Sequence, residues 1–494
     1  MTDFTQFFTT ADYLTIMPAV MLALFGCAVL LFDFLIFPDP RHKKNLLLFV
    51  VIAEGFTGYS LYVKQHLWMA AQGVPELNGF GGAITVDGFA IFFNWIFLIA
   101  AVVVALASYK YLEVAGEHHG EYYGLMLFAQ CGMYFMATGT DLITLFIGLE
   151  LMALCFYVMV GFLRTERRSN EAALKYLILG AFSSGFLVYG MSIMYGMSGS
   201  TKLQNIANAI QQRPPWDPMV FLALTTLSVG LLFKISAAPF HMWAPDAYEG
   251  APTTVTAYLS VASKAASIAF LLRFFLGPLA PAREVWEPLL GIIAVITLTV
   301  GNLAAINQTN IKRLLAYSSI SHAGYMLLGL IAGNQTGING IAVYIMVYTF
   351  MNLGALLVVV AMRRANIIGE ELDDLAGLVH KQPWYAFLML IFLLSLAGIP
   401  PTAGFLGKYY IFLALIQTGH YALAVFATLY VAVAIYYYFK IVRSMFNRDA
   451  DEKAPQPAES FGLRFGIGLA GLATLGIGIY PEPLLALVKN SIFR

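Results

Sequence analysis

The chain has 494 residues, of which 60% are hydrophobic and 11% charged, with 28 basic residues against 28 acidic ones. A soluble domain carries about 25% charged residues, so this is the composition of a polytopic membrane protein with little mass outside the bilayer. With zero net charge, nucleic acid is not an expected partner. Cys27, Cys131 and Cys155 lie in apolar runs without metal-ligand spacing, and there is no glycine-rich nucleotide loop. An iron–sulfur cluster, a zinc site and a disulfide framework are therefore not expected, no cofactor or metal is assigned to the chain, and its chemistry falls to ionisable side chains inside the membrane.

A span needs roughly 20 apolar residues. On that ruler fourteen segments are predicted, at 13–37, 44–64, 85–109, 121–138, 141–163, 170–196, 217–248, 252–277, 285–307, 310–332, 336–362, 383–414, 418–447 and 459–489. The first follows an acidic N-terminus and is too long for a signal-peptide core, so it reads as a retained span. Only 65–84, 197–216 and 363–382 read as true loops, which makes 1–494 one membrane domain without soluble appendages.

Basic residues fall in alternate connections. Arg41, Lys43 and Lys44 lie between spans 1 and 2, and Arg164, Arg167 and Arg168 between spans 5 and 6. Lys312 and Arg313 open span 10, Arg363, Arg364 and Lys381 follow span 11, and Lys440, Arg443, Arg448 and Lys453 surround the last connection. The positive-inside rule puts these on the cytoplasm-like face and both termini on the periplasm-like face of a bacterial inner membrane.

Residues 221–250, FLALTTLSVGLLFKISAAPFHMWAPDAYEG, hold a lysine (Lys234) inside an apolar run, interrupted five residues later by Pro239. A lysine near the bilayer centre costs about 2.5–3.5 kcal/mol on insertion scales. A proline frees backbone groups that only protein or cavity water can satisfy. An ordinary kink with a paired lysine is the plain reading; an ion path is the functional one. The punctuation recurs in span 12 at Pro400–Pro401, with Lys408 just beyond. In each case the broken span is the fourth of five, in blocks 4–8 and 9–13. The expected architecture is all-α, with about fourteen transmembrane helices and two inverted five-helix repeats. The first three spans occupy 1–120, the repeats 121–277 and 285–447, and the last span 459–489.

Glu150, Lys175, Lys234, Lys264 and Lys408 sit within apolar runs. Lys175 follows Glu171 by four residues, the spacing of an ordinary helical pair. Glu150 has no opposite charge within one turn, so Lys234 is its expected partner. A buried lysine whose proton affinity depends on a nearby carboxylate can load and release a proton, and a row of such groups with water between them is a proton wire. Sodium transport would draw on carboxylates and carbonyls instead. His241 and His322 are either packing residues or relays, with Ser318, Ser319 and Ser321 expected to hold water beside His322; the other histidines fall near span ends. Glu54 and Asp141 lie closer to the interfaces, where solvated or capping roles compete with an access path. The 27 tyrosines and 38 phenylalanines read as packing and interfacial belts.

Four segments carry a resemblance: EAALKYLILGAFSSGFLVYG, LLFKISAAPFHMWAPDAYEGAPTTVTAYLSVASKAA, NIKRLLAYSSISHAGYMLLG and LAGIPPTAGFLGKYYIF. They resemble the antiporter-like membrane subunits of respiratory complex I, over roughly spans 4 to 13. The resemblance implies inverted five-helix repeats, broken helices 7 and 12, and a central polar axis for proton translocation. It places Glu150, Lys234, Lys264 and Lys408 at the proton-transfer positions of helices 5, 7, 8 and 12. Lys175, His241 and His322 sit in matching motifs with less defined roles. Lysine at 408 disfavours the subunit M type, and the absence of a long lateral helix after span 14 disfavours the subunit L type. By the same resemblance NADH, FMN, iron–sulfur clusters and quinone belong to partner subunits, and further antiporter-like subunits and lipid are the neighbours. A stand-alone multi-subunit cation/proton antiporter, and the plastid or cyanobacterial counterpart of complex I, are the alternatives.

Overall fold

Long apolar runs leave every backbone N–H and C=O to be satisfied within the segment, and helices do this. The computed structural model describes residues 8–37, 43, 45–70, 77–214, 216–363, 369–447 and 460–491. Arg41, Lys44, Arg364, Arg448 and Lys453, counted above among the basic connections, lie outside the described residues.

In chain order the helices are α1 (Thr10–Leu35), α2 (Leu46–Ala70), α3 (Gly88–Ala115), α4 (Gly120–Thr138), α5 (Leu142–Val160), α6 (Arg167–Ser198), α7 (Leu203–Gln211), α8 (Pro218–Lys234) and α9 (Trp243–Gly250). They continue as α10 (Thr253–Tyr258), α11 (Lys264–Leu276), α12 (Arg283–Ile306), α13 (Ile311–Ala332), α14 (Gln335–Met362), α15 (Leu378–Lys381), α16 (Pro383–Ala397), α17 (Ala403–Gln417), α18 (Tyr421–Asn447), α19 (Phe461–Ile479) and α20 (Glu482–Ser491). Among the described residues, 11 helical segments are long and apolar enough to cross a membrane. With α4 and the two interrupted spans, α8–α9 and α16–α17, all fourteen expected segments are present as helix.

Three of these segments form the centre of the bundle. The most apolar stretches of Thr253–Leu276, Ile311–Ala332 and Gln335–Met362 are each 94% buried, against 28% for Tyr421–Phe446. Glycine lets α12 touch the central α13 at the backbone: a Cβ on Gly301 of α12 would lie 2.6 Å from the Ser321 nitrogen of α13.

Several expectations change. Lys234 is not mid-span but the last residue of α8, and the break covers the whole of 235–242, with Ser236 at φ +62° and a cis Ala238–Pro239 bond. The second break likewise contains a cis bond, Pro400–Pro401. A third interruption was not foreseen: a π turn, Leu259–Ser263, separates α10 from α11 directly before Lys264. Such turns in helices often mark functional sites. Span 14 stops at Ile479, and Pro481 separates it from α20. The loop 65–84 holds the end of α2 and the first strand of an antiparallel hairpin, β1 (Leu77–Gly79) with β2 (Ile84–Val86), and 197–216 holds the short α7. Both lie in stretches too polar for a hydropathy ruler to register as structure.

Ion pairs draw alternate connections to one end of the bundle. Arg168 at the start of α6 meets Glu370 before α15 (2.7 Å), Arg363 after α14 meets Glu166 (2.8 Å), and Arg313 of α13 meets Asp246 and Glu249 of α9 (2.7 and 2.9 Å). Lys312 is fully buried against Glu370 at 2.6 Å and also donates to the Ala251 carbonyl. Several cations counted for orientation are thus also structural ties.

Candidate functional site

Lys234, Lys264 and Lys408 each lie at or beside an interruption of a membrane helix, and such interruptions leave carbonyls without intrahelical partners. At the first break the Trp243 indole N–H takes the Phe233 carbonyl (2.9 Å), and Lys234 ends α8 with its ammonium donating to the Tyr157 hydroxyl at 3.3 Å. At the second break Lys408 of α17 donates to the carbonyls of Leu396 and Ala397, the last residues of α16, at 3.0 and 2.8 Å. Both ammonium groups therefore sit at the C-terminal end of a half-helix, where the helix dipole favours positive charge. Lys264 opens α11 after the π turn and donates to the Ser319 carbonyl (2.6 Å) and hydroxyl of α13. All three lysines are buried, at 5%, 2% and 4% exposure for Lys234, Lys264 and Lys408, and no carboxylate forms an ion pair with any of them among the described residues.

Tyrosines and serines join the lysines. Tyr157 meets Tyr176 edge-on at 4.6 Å, Tyr176 stacks on Trp243 at 4.3 Å, and Trp243 meets Tyr248 at 6.3 Å. The Tyr248 hydroxyl lies 3.5 Å from the Ser319 hydroxyl, and the Tyr348 hydroxyl donates to the same oxygen at 2.8 Å. One turn along α13, His322 packs its ring 5.1 Å from that of Tyr348. Its Nδ1 is 2.6 Å from the Tyr344 hydroxyl and its Nε2 3.2 Å from the Tyr438 hydroxyl, so the ring can donate at one nitrogen and accept at the other. Tyr344 stacks on Tyr325, and the Tyr325 ring face lies 5.0 Å from the Lys408 ammonium. Lys234, Lys264, His322 and Lys408 thus belong to one continuous row of polar and aromatic groups through the buried centre.

The remaining expectations divide. Glu150 and Lys234 form no direct ion pair: Glu150, half-buried, accepts from the Ser184 hydroxyl at 2.5 Å, while Lys234 turns to Tyr157. The Glu150 carboxylate still lies within electrostatic reach of the Lys234 ammonium. Lys175 is not buried: with 47% of its side chain exposed, it pairs with Glu171 and Asp246, both at 2.9 Å, at the charged end of the bundle. Its apolar run faces outward, so hydropathy overstated its depth. His241 is half-buried at the first break, with Nδ1 unpartnered among the described residues, and does not join the row. The serines beside His322 have separate protein partners: Ser318 bonds Tyr438, Ser319 bonds Lys264, and Ser321 accepts from Asn302 at 2.8 Å.

Asp141 caps α5, accepting from the Ile143 N–H at 2.9 Å and the Thr201 hydroxyl at 2.5 Å. Glu54 has neither of the expected solvated or capping roles: it is 2% exposed, within α2. The tyrosines of the row carry no distinguishing mark in the sequence, because a chain with 27 of them gives no one tyrosine a signal of its own.

A family described as NADH:quinone oxidoreductase/Mrp antiporter, TM, matches residues 139–434. The chain is 81% identical over 494 residues, all of both chains, to NADH-quinone oxidoreductase subunit N 2 of Solibacter usitatus (strain Ellin6076). It is 52% identical to NADH-quinone oxidoreductase subunit N 1 of Koribacter versatilis (strain Ellin345), over 100% of this chain and 98% of that one. A chain of respiratory complex I from Thermus thermophilus superposes with a TM-score of 0.77 at 33% identity, covering 95% of this chain and 98% of that one. This multi-pass membrane chain belongs to the NADH:quinone oxidoreductase/Mrp antiporter transmembrane family, among its NADH-quinone oxidoreductase subunit N members.

Proposed function

We propose that this chain is a proton-translocating membrane subunit of NADH:quinone oxidoreductase, and that protons pass along Lys234, Lys264, His322 and Lys408. The observation that carries this reading is the row itself: three buried lysines without ion-pair partners among the described residues, Lys234 reaching Ser319 through Tyr157, Tyr176, Trp243 and Tyr248, and Lys264 reaching Lys408 through Ser319, Tyr348, His322, Tyr344 and Tyr325. A buried ammonium without a carboxylate costs several kcal/mol to keep charged, so each lysine stands where a small change in local charge moves its proton. In this scheme Glu150 is the control group for Lys234, acting through space and through Tyr157, and Lys175 and His241 are structural. Electron transfer from NADH to quinone, with its FMN and iron–sulfur clusters, belongs to partner subunits, and this chain responds through electrostatics and hydration.

The proposed setting is a bacterial inner membrane, with the end that holds the Arg168–Glu370 and Arg313–Glu249 pairs facing the cytoplasm and both termini facing the periplasm. Residues 121–277 and 285–447 are proposed as the two inverted repeats, each with its own break. The test is Lys234→Ala and Glu150→Ala in the assembled complex. Proton uptake per NADH oxidised is expected to fall in both while the complex still assembles, and wild-type uptake in an assembled variant would remove the role assigned here. The subunits that copurify separate this reading from a stand-alone antiporter: flavin, iron–sulfur subunits and NADH oxidation support it, and small transporter subunits alone would overturn it.

A further inference from the structure

The row described above leaves a second set of buried ionisable groups unused, in the first helices. Glu54 lies within α2, with its Oε2 accepting from the Gln130 side-chain amide of α4 at 3.0 Å. Its other oxygen, Oε1, is buried without a partner, and so is the Oε1 of Gln130. No cation pairs with Glu54 among the described residues. One turn along α4 from Gln130, the Tyr134 hydroxyl accepts from the ammonium of Lys64 at 3.1 Å. Lys64 is 4% exposed, and its other partner is the Thr15 carbonyl at 3.3 Å. A buried acid and a buried base thus hang from the same wall of α4, neither with a counter-charge among the described residues. On the inner side Glu54 is within electrostatic reach of Tyr258, the residue before the π turn that leads to Lys264.

An isolated buried carboxylate is expensive, and the group takes up a proton instead. Once protonated, the Glu54 carboxyl O–H can donate to a water, and that water can donate in turn to the bare Gln130 Oε1. We infer that Glu54 is a further proton-binding residue of this subunit, holding its proton on Oε1 beside a water shared with Gln130 Oε1, outside the Lys234–Lys408 row. Gln130 is its positioning residue and Lys64 the buried base of the same wall. The inference rests on the proton-translocating reading above and adds a loading site to it.

The test uses the assembled complex in membrane vesicles. In wild type, infrared spectroscopy should show the carbonyl band of a protonated buried carboxyl that shifts on exchange into deuterated water. Glu54→Gln, which copies the neutral acid in shape, should remove that band, leave assembly intact and lower proton uptake per NADH oxidised; Glu150→Gln should leave the band in place. An unchanged spectrum in Glu54→Gln, or a lost band with wild-type uptake, overturns the inference. Should Glu54→Gln fail to assemble, Gln130→Leu takes its place: the band should shift as the amide hydrogen bond is lost, and an unshifted band overturns the proposal. Lys234→Ala in the same vesicles separates the two readings, because loss of uptake there with none in Glu54→Gln refutes only the additional site.

Discussion

Gly180 of α6 leaves the space that the Tyr157 hydroxyl occupies, and a Cβ there would collide with that oxygen. On helix propensity alone Gly180→Ala should stabilise α6 by about 1 kcal/mol. The structure predicts the reverse. The methyl must push Tyr157 aside at an overpacking cost of about 1–3 kcal/mol. It also strips Lys234 of its hydrogen bond, and bonds to a charged group contribute about 1.5–3 kcal/mol. The net expectation is a loss of about 1.5–5 kcal/mol, with reduced proton uptake because the link between Glu150 and Lys234 is displaced. In a Tyr157→Phe background the closest clash is gone and the methyl meets only the ring edge, at 2.6 Å, so the same substitution should cost less. A double-mutant cycle on the melting of the solubilised complex should therefore show coupling of about 0.5–3 kcal/mol, the range for residues in contact. Additive effects, or a Gly180→Ala complex with wild-type melting and uptake, would refute the placement of Tyr157 between α6 and Lys234.

Three further outcomes are expected. Lys312→Met leaves Glu370 buried with only Arg168 and Thr253 for partners, and should cost about 3–5 kcal/mol of stability, read as a lower melting temperature of the complex. Tyr344→Phe leaves His322 Nδ1 unsatisfied at about 1–3 kcal/mol, and should slow proton uptake in a complex that still assembles. Asp141→Ala removes a helix cap worth about 0.5–2 kcal/mol but should leave uptake per NADH unchanged, which checks that Asp141 is a cap and not part of the proton route.

The parts of this fold that were legible in the sequence are those with a strong local cause. Fourteen apolar runs become helices because lipid permits little else, and Pro239 and Pro400–Pro401 mark the two breaks because proline cannot continue the backbone ladder. Lys234, Lys264 and Lys408 stood out because charge in such runs is rare. What joins them did not stand out. The route through Ser319, Tyr348, Tyr344 and Tyr325 is assembled from α13, α14 and their neighbours, and nothing local distinguishes those hydroxyls from packing tyrosines. The π turn before Lys264 has no compositional mark. Lys64 went unnoticed because the hydropathy ruler closed span 2 at that charge, whereas α2 runs on to Ala70. Lys175 failed in the opposite sense: an apolar stretch says that a segment is in the membrane, not which of its faces looks inward.

The two carbonyls bound by Lys408 bear on how the scaffold survives the loss of a proton. An ammonium has three N–H donors. Two are engaged by Leu396 and Ala397, and the ammonium lies over the ring face of Tyr325. A neutral amine keeps two N–H donors, enough to hold both carbonyls, and presents a lone pair in place of the third. Lys264 has the same arithmetic with the two oxygens of Ser319. Each of these lysines can therefore change its charge without releasing the carbonyls it holds, at the end of α16 for Lys408 and on α13 for Lys264, so loading and unloading a proton need not unfasten the helices around it.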